Sequence, residues 1–142
     1  MGWLFSAIAG AAMSVQGVMN TRLSEKIGLY ESNMFVQGTA FVLSLVAMWI
    51  LGKGQLREIA TVNRWYLLGG AIGLVITITV MLGIAHLSPT LAISTILLAQ
   101  LIVAALIDGL GLMGTEKTSF HWQQFAGVAL IALGVVCFKW QK

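Results

Sequence analysis

The stretch TLAISTILLAQLIVAALIDGLGLM, residues 90–113, decides the fold because it can cross a lipid bilayer as one helix. A helix rises about 1.5 Å per residue and the hydrocarbon core is about 30 Å thick, so a span needs about 20 apolar residues. Asp108 is the only charged side chain in the stretch. The sequence therefore predicts a transmembrane helix that places one carboxyl group inside the membrane.

The rest of the chain repeats this pattern. Of its 142 residues, 58% are hydrophobic and only 9% are charged, whereas a soluble domain carries about 25% charged residues. A chain of this size cannot cover so much apolar surface with polar groups. We predict an all-α integral membrane protein, a single domain of five transmembrane helices over residues 1–142. The predicted spans are residues 3–20, 33–51, 65–86, 90–113 and 122–138.

Residues at the span ends support these limits. Ser88 and Pro89 have the pattern of an N-cap followed by proline in the first turn of a helix. Gly52 and Gly54 are predicted to end the second helix, and Gly114 the fourth. Aromatic rings that prefer the headgroup layer also fall at span ends. They are Trp3, Trp49, Trp65, Tyr66, Trp122 and Trp140.

The distribution of basic residues does not predict which way the chain is oriented in the membrane. With five spans the termini lie on opposite sides, which we call side A (N-terminal) and side B. Side A holds Lys53, Arg57, Arg64 and Lys117, and side B holds Arg22, Lys26, Lys139 and Lys142. Loop charge normally sets orientation, so this balance predicts either dual topology with antiparallel pairing or an orientation decided by the N-terminal amine or a partner.

The net charge of +3 and the pI near 9.4 do not indicate nucleic-acid binding. The basic residues are scattered over the span ends rather than gathered in one patch, so anionic lipid headgroups are the expected partners.

Polar groups within the spans are the candidate functional residues, because each costs free energy in hydrocarbon. Asp108 is predicted about 10 Å from the midplane toward side A. It must face a cavity, pair with a partner or stay protonated, as a substrate or proton site or as an acid that snorkels at a helix end.

Uncharged amides form a second group. Gln100 lies near the midplane of the fourth span, and Gln16 and Asn20 share one face of the first. Gln37 follows Asn33 by one turn in the second span. These amides either join helices or line a solute pathway together with Asp108. In an antiparallel dimer, the amides of one chain would come to within a few Å of the depth of Asp108 in the other.

Small residues recur at spacings that let helices approach closely, and we interpret them as packing positions. They are Ser6, Gly10 and Ser14 in the first span and Gly69, Gly73 and Thr77 in the third. The sequence contains no nucleophile–base pair, nucleotide-binding loop or metal-ligand spacing, so we predict neither an enzyme nor a bound metal or cofactor.

Four blocks of sequence resemble the YdcZ-like family of the drug/metabolite transporter superfamily, which is related to EamA-like transporters. The most specific block runs from Gln100 to Gly114 and includes Asp108. The others are residues 16–20 with Leu23 and Gly28, residues 35–39, and residues 65–73. Together they cover nearly the whole chain.

The resemblance implies a multi-pass protein of the plasma (inner) membrane that forms half of an inverted-repeat, ten-helix transporter. Such a half would pair antiparallel with a second copy or with a related five-helix partner. The small multidrug-resistance branch couples to protons through a glutamate in its first helix, but this first helix has Gln16 and no acid.

The sequence thus predicts a secondary transporter of a small solute that works by alternating access. Its pathway residues would be Gln16, Asn20, Gln37, Gln100 and Asp108. The alternative is a non-transporting membrane subunit or scaffold of a larger complex, and a channel is a third option.

Overall fold

A computed structural model describes residues 1–118 and 121–140, and within these ranges all regular structure is helical. Five α-helices are each long and apolar enough to cross a membrane, as predicted. They are α1 (Gly2–Ile27), α2 (Leu29–Leu51), α3 (Gly69–His86), α4 (Pro89–Leu110) and α5 (Trp122–Lys139). The third span also includes the 3-10 turn Arg64–Leu68, which leads directly into α3.

The first helix is longer than the sequence predicted. It continues past Asn20 to Ile27, and its 26 residues span about 39 Å, more than the hydrocarbon core requires. Its last two turns therefore carry charged residues that the predicted spans place in a loop. There Arg22 Nη1 forms a salt bridge with Glu25 Oε2 at 3.1 Å.

A single residue, Gly28, connects α1 to α2. Its φ of 100° lies in the region that side chains disfavour, and its N–H donates to Ser24 O at 3.0 Å. Glu31 falls in the first turn of α2, where a negative charge interacts favourably with the helix dipole. The predicted loop between the first two spans is thus a one-residue corner, with helix on both sides of it.

The connection from α2 to α3 contains two short 3-10 turns. As predicted, Gly52 ends α2. The turns Leu56–Ala60 and Arg64–Leu68 follow, and the Asn63 side chain caps the second by accepting from Trp65 N–H at 3.2 Å.

Both ends of α4 follow simple capping chemistry. Ser88 Oγ accepts from Leu91 N–H at 3.4 Å and Pro89 opens the helix, which confirms the predicted start. The predicted end at Gly114 was wrong. Gly111 (φ 64°) ends the helix, and Gly114 is the last residue of the 3-10 turn that follows. Asp108 therefore lies in the last turn of α4.

The chain divides into two compact units. The first unit, Met1–His86, holds α1 to α3, and the second unit, Leu87–Lys142, holds α4 and α5. Among the described residues the buried hydrophobic side chains are Met81, Ile84 and Ala92, while most other large apolar side chains are exposed. That surface suits lipid as the solvent. That the five helices form a single domain stays a prediction. Lys142, which was counted among the basic residues of side B, lies outside the described residues.

Candidate functional site

The core of the first unit is mainly polar. The buried residues that α1 and α2 contribute include Asn20, Thr21, Ser32 and Asn33, each less than a tenth exposed. Met81 of α3 is buried with them at 1% exposure. Because lipid cannot satisfy polar atoms, a buried cluster of this kind needs internal partners.

Most of these partners come from backbone carbonyls. Ser32, which is fully buried, donates to Asn20 O at 3.3 Å and lies 3.8 Å from Met81 Sδ. Thr21 Oγ1 donates to Gly17 O at 2.8 Å. The exception is Asn33, whose buried Oδ1 accepts no hydrogen bond from any described residue. The cluster therefore keeps one open acceptor.

Gly17 allows α1 to approach α3 closely. A Cβ atom at this position would lie 2.9 Å from Ile84 Cδ1 and 3.2 Å from Val80 Cγ1. By contrast, a Cβ at Gly10, Gly69 or Gly73 would meet nothing within 4 Å. Helix packing at those three glycines, at Ser6 and at Ser14 stays a prediction. The Ser14 hydroxyl donates within its own helix, to Gly10 O at 3.0 Å.

Gln16 and Asn20 border two spaces in the first unit. One is a groove of about 710 Å³ between α1 and α2. The other is a small cavity of about 50 Å³ between α1 and α3, which Thr77 also lines. No hydrogen bond of the Gln16 carboxamide to a described residue is found, and this side chain borders both spaces.

Gln37 is connected to α3 rather than left free. Its Nε2 donates to Thr77 Oγ1 at 3.5 Å, and that hydroxyl donates in turn to Gly73 O at 2.8 Å. Thr77 therefore accepts one hydrogen bond and donates another, and links α2 to α3 beside the small cavity.

This link is testable by a double-mutant cycle. Gln37→Leu is expected to lower the free energy of unfolding of the first unit by about 0.6–2 kcal/mol, the range for interhelical hydrogen bonds in membranes. After Thr77→Val, the same change should cost measurably less, because its partner is already absent. Thermal unfolding in detergent measures both, and purely additive effects would show that the hydrogen bond contributes nothing.

The second unit carries the other two predicted residues, Gln100 and Asp108. Both are exposed on α4, and Asp108 lies about 13 Å along the axis from the midpoint of that helix. The segment after α4 folds back on the helix end, where Thr118 N–H donates to Asp108 O at 3.0 Å. Lys117 Cβ would lie 3.3 Å from a Cβ at Gly111. A cationic residue thus flanks the negative end of the helix dipole close to Asp108.

A family model described as "Putative inner membrane exporter, YdcZ" matches residues 1–137 of this chain. The chain belongs to this family. The family resemblance predicted from the sequence is therefore confirmed, and the protein is a multi-pass protein of the inner membrane with a transporter role rather than an enzymatic one. Comparison with the curated proteins and with the solved structures finds no match.

For this YdcZ-family chain, the structure places the predicted amides of the first unit in different settings. Asn20 is buried, Gln37 is half-buried and bonded to Thr77, and Gln16 is exposed at the groove. Sequence reasoning identified Asn33 among the amides of the membrane spans but missed Ser32 and Thr21. Both of the missed residues lie near the corner between α1 and α2, within the loop predicted between those spans.

Proposed function

We propose that the chain exports a small solute by alternating access, as an antiparallel dimer of five-helix chains. The observation that carries this proposal is the polar lining of the first unit, where Gln16 and Asn20 border a groove between otherwise apolar membrane helices. Membrane helices place polar side chains inward mainly where they pair or where they line a pathway.

The antiparallel arrangement is supported by the family and by charge. Secondary transporters are commonly built from two repeats of opposite orientation, with the substrate site near the bilayer midplane. The five described helices would pair with a second repeat supplied by an antiparallel second copy or by a related five-helix partner. The four-against-four distribution of basic residues permits both orientations of the same chain.

In this proposal the pathway residues have distinct roles. Gln16, Asn20 and Gln37 supply neutral hydrogen-bonding groups in the first unit, and Gln100 supplies another on α4. Asp108 is the only acid within the apolar stretch of α4, so it is the residue available to carry a proton or to balance a positive charge.

The test is the orientation of the chain in intact cells. Reporters on each terminus, together with the labelling of single cysteines from either side of the membrane, are expected to place each terminus on both faces in comparable amounts. Single-cysteine labelling requires a background in which the native Cys137 is replaced by serine. Insertion of all copies in one direction would overturn the homodimer and require an oppositely oriented partner chain.

Reconstitution distinguishes export from a scaffold role. Purified chain in proteoliposomes should move solute without any other protein. In a non-transporting subunit, alanine at Gln16 or Gln37 would alter stability alone, and the reconstituted chain would produce no flux.

A further inference from the structure

The groove between α1 and α2 has the size of a small-molecule site. Its volume of about 710 Å³ falls within the range of about 300–1,000 Å³ typical of ligand pockets. Its lining combines small side chains, including Ala11, Ala12 and Ala40, with larger apolar groups such as Val15 and Leu43.

Three polar side chains face this groove, and none of its lining residues is ionisable. They are Gln16, Asn20 and Thr39. The Thr39 hydroxyl already donates within its own helix, to Phe35 O at 3.0 Å and Val36 O at 2.9 Å, so it offers only an acceptor. The Gln16 carboxamide offers both a donor and an acceptor and forms no hydrogen bond with the described residues.

This chemistry selects against two kinds of occupant. A charged solute would lose its hydration against apolar walls with no opposite charge to replace it. A lipid acyl chain would fill the apolar walls but leave the Gln16 amide unsatisfied in hydrocarbon. A neutral molecule with an apolar body and a hydrogen-bonding group satisfies both the walls and the amide.

We propose that the α1–α2 groove binds a neutral amphipathic solute and that Gln16 is its hydrogen-bonding specificity residue. The inference rests on the proposed function only in taking the bound solute to be the exported one. Asn20 lies one turn further along the same face of α1, where it extends the polar edge of the groove.

Photolabelling of the full chain in lipid nanodiscs tests this directly. The probes are three benzophenones with the same photoreactive ketone, which carry a hydroxymethyl, a trimethylammoniomethyl or a carboxylate group. The hydroxymethyl probe is expected to label groove residues such as Met19 and Leu43, mapped by mass spectrometry. The charged probes are expected to label the same positions at least tenfold less.

Variants connect the labelling to Gln16. Gln16→Leu is expected to reduce groove labelling by the neutral probe about three- to tenfold, the equivalent of one net hydrogen bond. Gln16→Asn should retain part of it. Thr79→Val is the matched polar-to-apolar control, because Thr79 is exposed on α3 and donates to Val75 O, outside the groove.

Three results would overturn the proposal. One is preferential labelling by a charged probe, and another is neutral labelling unaffected by Gln16→Leu. The third is no labelling at all, with Ala12→Cys instead forming a disulfide between copies, which would assign the groove to a second chain. Labelling does not depend on transport or orientation, so a one-way topology would remove the antiparallel homodimer and leave this inference standing.

Discussion

Asp108→Asn is expected to reduce coupled export to background while the chain still folds and inserts. Asparagine has nearly the same shape and keeps hydrogen-bonding capacity, but it cannot carry a proton or a charge. Asp108 is exposed at the last turn of α4, so the exchange disturbs no buried contact. The measurement is efflux of the neutral benzophenone alcohol from proteoliposomes under an imposed proton gradient.

Two further variants separate coupling from simple charge pairing. Asp108→Glu retains the carboxyl group and should retain coupled efflux. Lys117→Gln removes the cation that the folded-back segment brings close to the end of α4. If Asp108 served only to pair with Lys117, both neutralising changes would have equal effects. Efflux that persists unchanged in Asp108→Asn would remove this residue from the mechanism.

The position of Asp108 also predicts how its replacement affects stability. An acid in the last turn of a helix opposes the helix dipole, and this costs stability unless a cation compensates. Removing the acid should therefore leave stability the same or slightly higher. A variant that is as stable as the native chain but inactive would identify Asp108 as a residue kept for function rather than for folding.

The helices could be predicted from the sequence because length and apolarity alone define a span. Ser88 and Pro89 also fixed the start of α4, since an N-cap followed by proline has one structural meaning. The corner at Gly28 could not be found in this way. The charges on Arg22 and Glu31 suggested a loop, whereas Arg22 lies on the extended end of α1 and Glu31 in the first turn of α2.

The site could be predicted only in part, because membrane helices are apolar on every face and periodicity does not show which face is buried. Gln16 and Asn20 were found from their shared face and polar character. Ser32 and Thr21 were missed, since a small hydroxyl near a helix end has the same sequence pattern whether it is buried or exposed. Gly10 and Gly17 are likewise indistinguishable by residue type, although only Gly17 contacts a neighbouring helix closely.

Gly17→Leu is expected to have the largest effect on stability. The added side chain would enter the space that Ile84 and Val80 already fill, at 2.9 and 3.2 Å from the first added carbon. Overpacking of this kind typically costs about 1–3 kcal/mol. Gly17→Ala should cost less, because it adds a single carbon and the nearer neighbouring atom, Ile84 Cδ1, is the movable end of its side chain. Thermal unfolding in detergent measures the loss.

Gly10→Leu is the matched control, on the same helix with nothing within 4 Å of its Cβ position. It should leave the midpoint of unfolding in detergent unchanged or slightly raised, because leucine has a higher helix propensity than glycine. Ile84→Ala in the Gly17→Leu background should restore part of the loss by vacating the contested space. Equal losses at Gly10 and Gly17 would contradict the close approach of α1 and α3. Gly17 lies next to Gln16 and lines the same small cavity, so overpacking at Gly17 is also expected to disturb the polar lining that Gln16 contributes.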